Sequence, residues 1–211
     1  MKLTDPRGQK GPFEELFKKI LACKSSNACP FLRTRQFFYE PNGRTAPSWK
    51  EKGSFATGID RRVMFVCESP GPSAAPGSPT TPERCWSITP RDRRFQEVRK
   101  KYGPESCYLT NTVKCGVRRG RQHSPSEVEA CKLFLVREID LVKPQVIVTV
   151  GNNAERTLRE YVLRPDLLPR PPRLFRITHY SCRRNVWKAW DNEFPRLIEL
   201  LKRLRPQNDP N

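Results

Sequence analysis

The chain has 211 residues, of which 40 are lysine or arginine and 22 are aspartate or glutamate, so its formal net charge is +18. This charge attracts polyanions and makes nucleic acid the leading candidate partner, ahead of an anionic membrane surface or a role in solubility alone. The length fits one domain with a buried core. We expect an intracellular, cytoplasmic protein that does not enter a membrane, because no apolar stretch could span a bilayer and no secretory segment follows Met1.

The chain contains eight cysteines, a large number for a protein of a reducing compartment. Structural disulfides rarely persist there, and clustered thiols more often bind a metal. We therefore expect a metal-binding role for four of the eight cysteines.

The two ends of the chain differ from its centre in composition. Residues 1–12 are polar and basic and predict a flexible arm, whereas residues 206–211 predict a flexible tail. A single domain is expected over residues 13–205. It begins at 13–24 with apolar residues at helical spacing, which predict a short helix docked on the core. The stretch 25–61 supports no long regular element.

Four short apolar runs predict the strands of a buried, mostly parallel sheet. They are Val63 to Cys67, Cys107 to Asn111, Val146 to Val150 and Leu174 to Thr178. Because helical patterns alternate with these runs, we expect a three-layer α/β/α fold around a central four-stranded sheet. Ligands of such sheets bind beyond the carboxyl ends of the strands.

The clearest helix signal is the run Ser124-Pro125-Ser126-Glu127, which has the form of a capping box with proline at the first helical position. The helix that it opens is expected to end before Pro144. Further helices are predicted at 91–101, 152–163 and 186–204, the last with a break near Pro195.

Polar residues or glycine follow all four predicted strands. The runs are Glu68-Ser69-Pro70-Gly71, Asn111-Thr112-Val113-Lys114-Cys115, Gly151 and His179-Tyr180-Ser181. Their order and identity resemble the uracil-DNA glycosylase superfamily over about residues 20–200. The run from Asn111 to Cys115, followed sixteen residues later by Cys131, is most similar to the family 4 enzymes, which carry an iron–sulfur cluster.

The resemblance implies a DNA-repair glycosylase that hydrolyses the N-glycosidic bond of uracil, or of another deaminated base, and leaves an abasic site. Asn111 would read an extruded uracil, since its amide can donate to O4 and accept from N3–H, whereas cytosine presents the reverse pattern. His179 would donate to O2 as negative charge accumulates on the departing base. Glu68 would position water or offset positive charge on the sugar.

The resemblance also implies further contacts with the base and with the DNA backbone. Base contacts are expected from Ser69, Gly71 and a stacking Trp86, and DNA contacts from Gly151, Ser181, Arg183 and Arg184.

Three positions depart from the family pattern. Tyr180 stands where a proline usually follows the histidine, and Cys67 stands where a glycine usually precedes the acid. Ala74 and Ala75 occupy the position of a second acid. We therefore expect the site to depend on Glu68 alone, with a slower reaction or an altered base preference.

The resemblance implies that Cys115 and Cys131 are two of four cluster ligands, and Cys23 and Cys29 are the candidates for the other two. The C-x5-C spacing of this amino-terminal pair departs from the C-x2-C of the family. Four cysteines can hold either a [4Fe–4S] cluster or zinc, and the family resemblance favours iron.

Two other functions remain open. The first is a catalytically weak iron–sulfur protein that binds DNA on the same scaffold, because the second acid is absent. The second is a zinc-stabilised module that binds nucleic acid. In the glycosylase interpretation the partner is DNA that contains uracil or another deaminated base, and the protein is expected to be a monomer.

Overall fold

The structure is a computed structural model that describes most of the carboxyl-terminal half of the chain and shorter parts of the rest. The described residues are 63–69, 108–114, 123–180, 182 and 185–204, with Pro12, Glu15, Leu16, Lys19, Ile20 and Cys23. The predicted arm apart from Pro12, the stretch 25–61, the helix at 91–101 and the tail lie outside these residues. Among the described helices, none is long and apolar enough to cross a membrane.

Four parallel strands form the central sheet. They are β1 (Val63–Cys67), β2 (Tyr108–Asn111), β3 (Val146–Val150) and β4 (Arg173–Ile177), in the spatial order β2-β1-β3-β4. Every neighbouring pair is parallel, which confirms the predicted class of sheet. The carboxyl ends of all four strands consequently lie at one edge.

The central strands of the sheet explain where its core lies. All residues of β1 and β3 are buried, because helices cover the sheet and each of these strands has a neighbour on both sides. Strand β4 lies at the edge of the sheet, and its two arginines, Arg173 and Arg176, are exposed. Charged side chains on an edge strand discourage pairing with another chain.

The predicted bounds of one strand, β4, are corrected by one residue at each end. The predicted bounds of β1 and β3 are confirmed, and the predicted end of β2 at Asn111 is also confirmed, whereas its predicted first residue, Cys107, lies outside the described residues. Strand β4 runs from Arg173 to Ile177 and not from Leu174 to Thr178. It ends there because the backbone N–H of Thr178 donates to the carboxylate of Glu193 instead of continuing the ladder.

Helix α1 (Pro125–Val142) has the predicted start and end. The Ser124 hydroxyl accepts from the Glu127 amide at 3.3 Å, and the Glu127 carboxylate accepts from the Ser124 amide at 2.8 Å. At the other end Lys143 adopts a left-handed conformation, with φ of 51°, directly before Pro144. The capping box therefore begins the helix, and a left-handed residue ends it.

The helix predicted at 152–163 consists of two parts. Helix α2 (Asn152–Thr157) continues into a single π-helical turn, Leu158–Val162. Tyr161, in this turn, packs against the main apolar core and also against a small buried cluster of Val113, Val128 and Cys131. The wider turn thus joins the two apolar clusters.

Helix α3 (Val186–Arg203) runs through Pro195, so the predicted break at this residue is wrong. A proline inside a helix costs about 3 kcal/mol. Burial of Trp190, Phe194 and Leu197 against the sheet offsets this cost, since each large apolar side chain contributes about 1.5–3 kcal/mol. Tertiary packing therefore overrides the local signal.

The predicted amino-terminal docking helix is confirmed at Glu15, Leu16, Lys19 and Ile20, whereas Cys23, inside the predicted range 13–24, is not helical. Pro12, Glu15, Leu16, Lys19 and Ile20 are helical. Leu16 and Ile20 are buried and belong to the main apolar core. This segment therefore contributes to the same core as the sheet.

Candidate functional site

A cleft of about 490 Å³ opens at the carboxyl edge of the sheet. Three residues singled out from the sequence, Glu68, Gly151 and His179, line this cleft together. The other lining residues are Val150, Asn152, Asn153, Arg176, Thr178 and Cys182. The fold thus brings together residues from the ends of three different strands.

Glu68 is held through both its backbone and its side chain. Its backbone carbonyl accepts from the hydroxyl of Thr112 at 2.7 Å and from the amide of Val113 at 3.0 Å. Its carboxylate Oε2 accepts from Nδ2 of Asn153 at 3.0 Å. The turns that follow β1 and β2 are therefore tied together, and the carboxylate is fixed at the cleft.

Asn153 is a site residue that the sequence analysis missed. It lies in the first turn of α2 and is separated from Glu68 by 85 positions in the chain, so no local pattern reports their contact. Its place two residues after Gly151, at the end of a strand, was the only available signal. Among the described residues, the side-chain partner of the Glu68 carboxylate is thus a neutral amide.

Thr178, the residue before His179, is hydrogen-bonded to two residues of α3. The Thr178 amide and hydroxyl both donate to the Glu193 carboxylate, at 2.8 and 2.7 Å. The indole N–H of Trp190 donates to the Thr178 carbonyl at 2.7 Å. Because three polar groups of Thr178 are bound, the start of the His179 loop cannot shift without breaking these hydrogen bonds.

The imidazole of His179 is enclosed by its neighbours. It stacks on the ring of Tyr180, with centroids 4.3 Å apart. On another side lies Gly151, where an added Cβ would stand 2.9 Å from the Cβ of His179. Burial lowers the pKa of His179 to about 4, so the ring is neutral near pH 7.

Arg176 lies at the rim of the cleft. Its guanidinium donates to Oδ1 of Asn152 at 2.7 Å, and its Nε is 3.7 Å from a carboxylate oxygen of Glu155. The side chain remains largely exposed, so it can also meet an anion from solvent.

Asn111 lies at the same edge but does not line the cleft. Asn111 ends β2, and β1 and β3 lie between β2 and β4 in the sheet. With neighbouring strands about 4.8 Å apart, the carboxyl ends of β2 and β4 are about 14 Å apart. The side chain is only 1% exposed, and neither amide atom has a hydrogen-bond partner among the described residues. An unpaired buried polar group costs about 1–3 kcal/mol, so the amide of Asn111 is a destabilising feature of the described structure.

The remaining predicted site residues are only partly covered by the structure. Ser69 is half-buried beside Glu68 and is not among the described residues that line the cleft. Five others, Gly71, Trp86, Ser181, Arg183 and Arg184, lie outside the described residues. Their predicted roles stay predictions.

The predicted metal ligands are also partly covered. Cys131 is buried beside Val113, which precedes Cys115 by two residues in the sequence. Cys23 is half-buried, whereas Cys29 and Cys115 lie outside the described residues. Within the described part of the chain, no three histidine, cysteine or acidic side chains are grouped as a metal site.

Comparison with known proteins finds one family. The family model of the uracil DNA glycosylase superfamily matches residues 55–205. The chain is 42% identical to the Type-4 uracil-DNA glycosylase of Archaeoglobus fulgidus over 111 residues, which cover 50% of this chain and 52% of the relative. It is 31% identical to that of Thermotoga maritima over 96 residues, which cover 46% and 48%. The chain thus spans about half the length of the curated relatives it matches.

The buried histidine predicts a pH dependence of stability. The pKa of His179 is about 4 in the folded chain, against 6.5 for an ordinary histidine, so between these values the unfolded chain binds more protons. Stability is therefore lost as pH falls through this window, by at most about 3 kcal/mol from this residue. His179→Gln should reduce the loss, measured by urea unfolding at about pH 7.5 and about pH 4.5.

The exposed α3 residue Asn192 supplies the control for this experiment. Asn192→Ala should keep the pH dependence of the original protein. An equally steep loss of stability in His179→Gln would show that burial of the imidazole is not its cause.

Gly151→Ala should destabilise the protein and displace His179. The glycine has φ of +92°, which side chains rarely adopt, and an added Cβ would meet the Cβ of His179 at 2.9 Å. We expect a loss of about 1–3 kcal/mol in urea unfolding and shifted NMR resonances of the His179 ring. Asn152→Ala, which removes one exposed hydrogen bond, should cost about 0.5 kcal/mol or less. Unshifted ring resonances in Gly151→Ala would contradict the close packing.

Proposed function

We propose that this chain, which belongs to the uracil DNA glycosylase superfamily, hydrolyses the N-glycosidic bond of uracil in DNA and leaves an abasic site. The observation that carries the proposal is the meeting of Glu68 and a neutral His179 in one cleft at the carboxyl edge of the sheet. The names of the Type-4 relatives, which match about half of their length, support the same activity.

In this proposal Asn111 recognises the base. Its buried amide offers one donor and one acceptor without a partner among the described residues. Uracil presents O4 and N3–H to such a group, whereas cytosine presents the reverse pattern. The distance between the ends of β2 and β4 leaves room for a base between Asn111 and His179. Trp86, Ser69 and Gly71 would complete the base pocket.

His179 would stabilise the departing base. A neutral imidazole donates one N–H to uracil O2, and this hydrogen bond strengthens as negative charge develops on the base. The depressed pKa supports this role, because the ring keeps the same protonation state over the whole neutral range. The hydrogen bonds of Thr178 to Glu193 and Trp190 would hold the His179 ring in place before the N-glycosidic bond breaks.

Glu68 would act on water and on the sugar. The bond between C1′ and N1 breaks, and its electrons leave with the uracil. The water oxygen then bonds to C1′, and a water proton passes to the Glu68 carboxylate. Asn153 occupies Oε2, which leaves Oε1 available to orient the water. The carboxylate also offsets the positive charge that grows on the sugar.

The charge of the chain suits a DNA substrate. The net charge is +18, and Arg176 is exposed at the rim of the cleft. Ser181, Arg183 and Arg184 follow the histidine in the sequence and would bind phosphates, together with the backbone at Gly151. We propose that the protein acts on DNA in the cytoplasm as a monomer, and that hypoxanthine is a second candidate base.

A [4Fe–4S] cluster would be held by Cys23, Cys29, Cys115 and Cys131. The burial of Cys131 beside Val113 supports this set, because it joins α1 to the turn that precedes Cys115 in the sequence. The cluster would supply a rigid cross-link between these segments, and no step of the proposed reaction passes through it.

The proposed activity is tested with oligonucleotides that carry one uracil, single-stranded and in duplex, followed by alkali to cut abasic sites. The protein should cut at uracil, and Asn111→Ala and His179→Ala should each lower the rate by about 100-fold or more with nearly unchanged DNA affinity. Asn192→Ala should keep the full rate. Tight DNA binding without cutting at uracil or hypoxanthine would favour the catalytically weak DNA-binding protein instead.

Metal analysis of the purified protein tests the cofactor. We expect a brown protein with about four iron atoms per chain, and loss of iron in Cys131→Ser but not in Cys182→Ser, which changes an exposed cysteine. Stoichiometric zinc without iron would contradict the cluster and favour the zinc-stabilised module.

A further inference from the structure

A buried ion pair lies beneath the turn that follows β2. Nζ of Lys114 is 2.6 Å from Oε2 of Glu138, and the two side chains are 4% and 0% exposed. Burying two charges is costly, and well-packed apolar residues often replace such a pair without loss of stability. No step of the proposed reaction uses either charge, so the pair requires another explanation.

The contacts of Lys114 lead directly to Asn111. Besides Glu138, its ammonium donates to the backbone carbonyl of Asn111 at 2.7 Å and to the hydroxyl of Thr110 at 2.8 Å. The Thr110 hydroxyl in turn donates to Glu138 at 3.0 Å. An ammonium has three N–H donors, and all three are used. The position of the lysine is therefore fully determined.

In contrast to the Lys114 ammonium, the side-chain amide of Asn111 is not held by hydrogen bonds to the described residues. The side chain is buried, and its amide has no hydrogen-bond partner among the described residues. Contacts of the amide therefore do not hold it in place, and the backbone must do so. That backbone is fixed by pairing with Cys67 in the sheet and by the hydrogen bond from Lys114 to its carbonyl.

We propose that the Lys114–Glu138 pair is a positioning device for Asn111 and so determines the selectivity for uracil over cytosine. The inference rests on the proposed function and deepens it. Selectivity between these bases depends on whether a donor and an acceptor each face the right atom, and a small displacement of the amide weakens both contacts. The Lys114 ammonium opposes this displacement by its hydrogen bond to the Asn111 carbonyl. Glu138, on α1, in turn holds the ammonium in place.

The double variant Lys114→Met/Glu138→Gln tests the proposal. It leaves no buried unpaired charge and keeps an acceptor for Thr110, but it removes the donor to the Asn111 carbonyl. We expect cooperative unfolding to be retained and DNA affinity to stay within about threefold. The rate of uracil excision at saturating DNA should fall by about tenfold or more, because a misplaced group of this kind acts on the chemical step.

Recognition is measured separately by inhibition with free uracil and free cytosine. The original protein should prefer uracil, and the double variant should lose most of this preference. The control is Glu129→Gln/Lys132→Met, which removes an ion pair at the surface of the same helix and should change nothing. A double variant with the original rate and preference would overturn the proposal and leave the pair a purely structural role.

Two further results keep the test decisive. If the double variant does not fold, the triple variant Thr110→Val/Lys114→Met/Glu138→Leu replaces the whole buried polar group by apolar side chains and also removes the donor to the Asn111 carbonyl. Its excision rate should fall by about tenfold or more at constant DNA affinity, and an unchanged rate would overturn the proposal. If the original protein does not excise uracil, the proposed function fails, whereas direct binding of free uracil and free cytosine still tests recognition at Asn111.

Discussion

Parallel pairing of four short strands is the constraint on which the rest of the structure depends. Because β1 and β3 are buried on all sides, their register is set by packing, and the carboxyl ends of four distant segments meet at one edge. The hydrogen bonds from Thr112 and Val113 to Glu68 continue this pairing beyond the strands. The positions of the acid and the asparagine therefore follow from the sheet more than from their own loops.

Elements whose bounds depend on local sequence patterns were predicted correctly, such as the two central strands and the helix α1. The apolar runs located β1 and β3 to the residue, since a fully buried strand reads as a continuous apolar segment. Long-range contacts decided the rest: Glu193 ends β4 one residue early, and packing carries α3 through Pro195. Glu68 and His179 were predictable from their places after strands, but a partner such as Asn153, 85 residues away, leaves no local signal.

Among the described residues, the cleft combines the carboxylate of Glu68 with the neutral imidazole of His179. A second acid would add repulsion beside Glu68, whereas the amide of Asn153 orients the carboxylate without adding charge. Tyr180 takes the place at which the family usually has a proline, and its ring stacks on His179. Two departures from the family pattern thus affect the surroundings of Glu68 and His179 and not these two side chains themselves.

Tyr161 couples the stability of the two apolar clusters, because it packs against both. Its ring packs on the main core and on the cluster that holds Cys131, so opening one cluster disturbs the other. The two are then expected to melt as one cooperative unit. Through this linkage, a metal bound by Cys131, as proposed above, would add its binding free energy to the stability of the whole sheet, including strands that it does not contact.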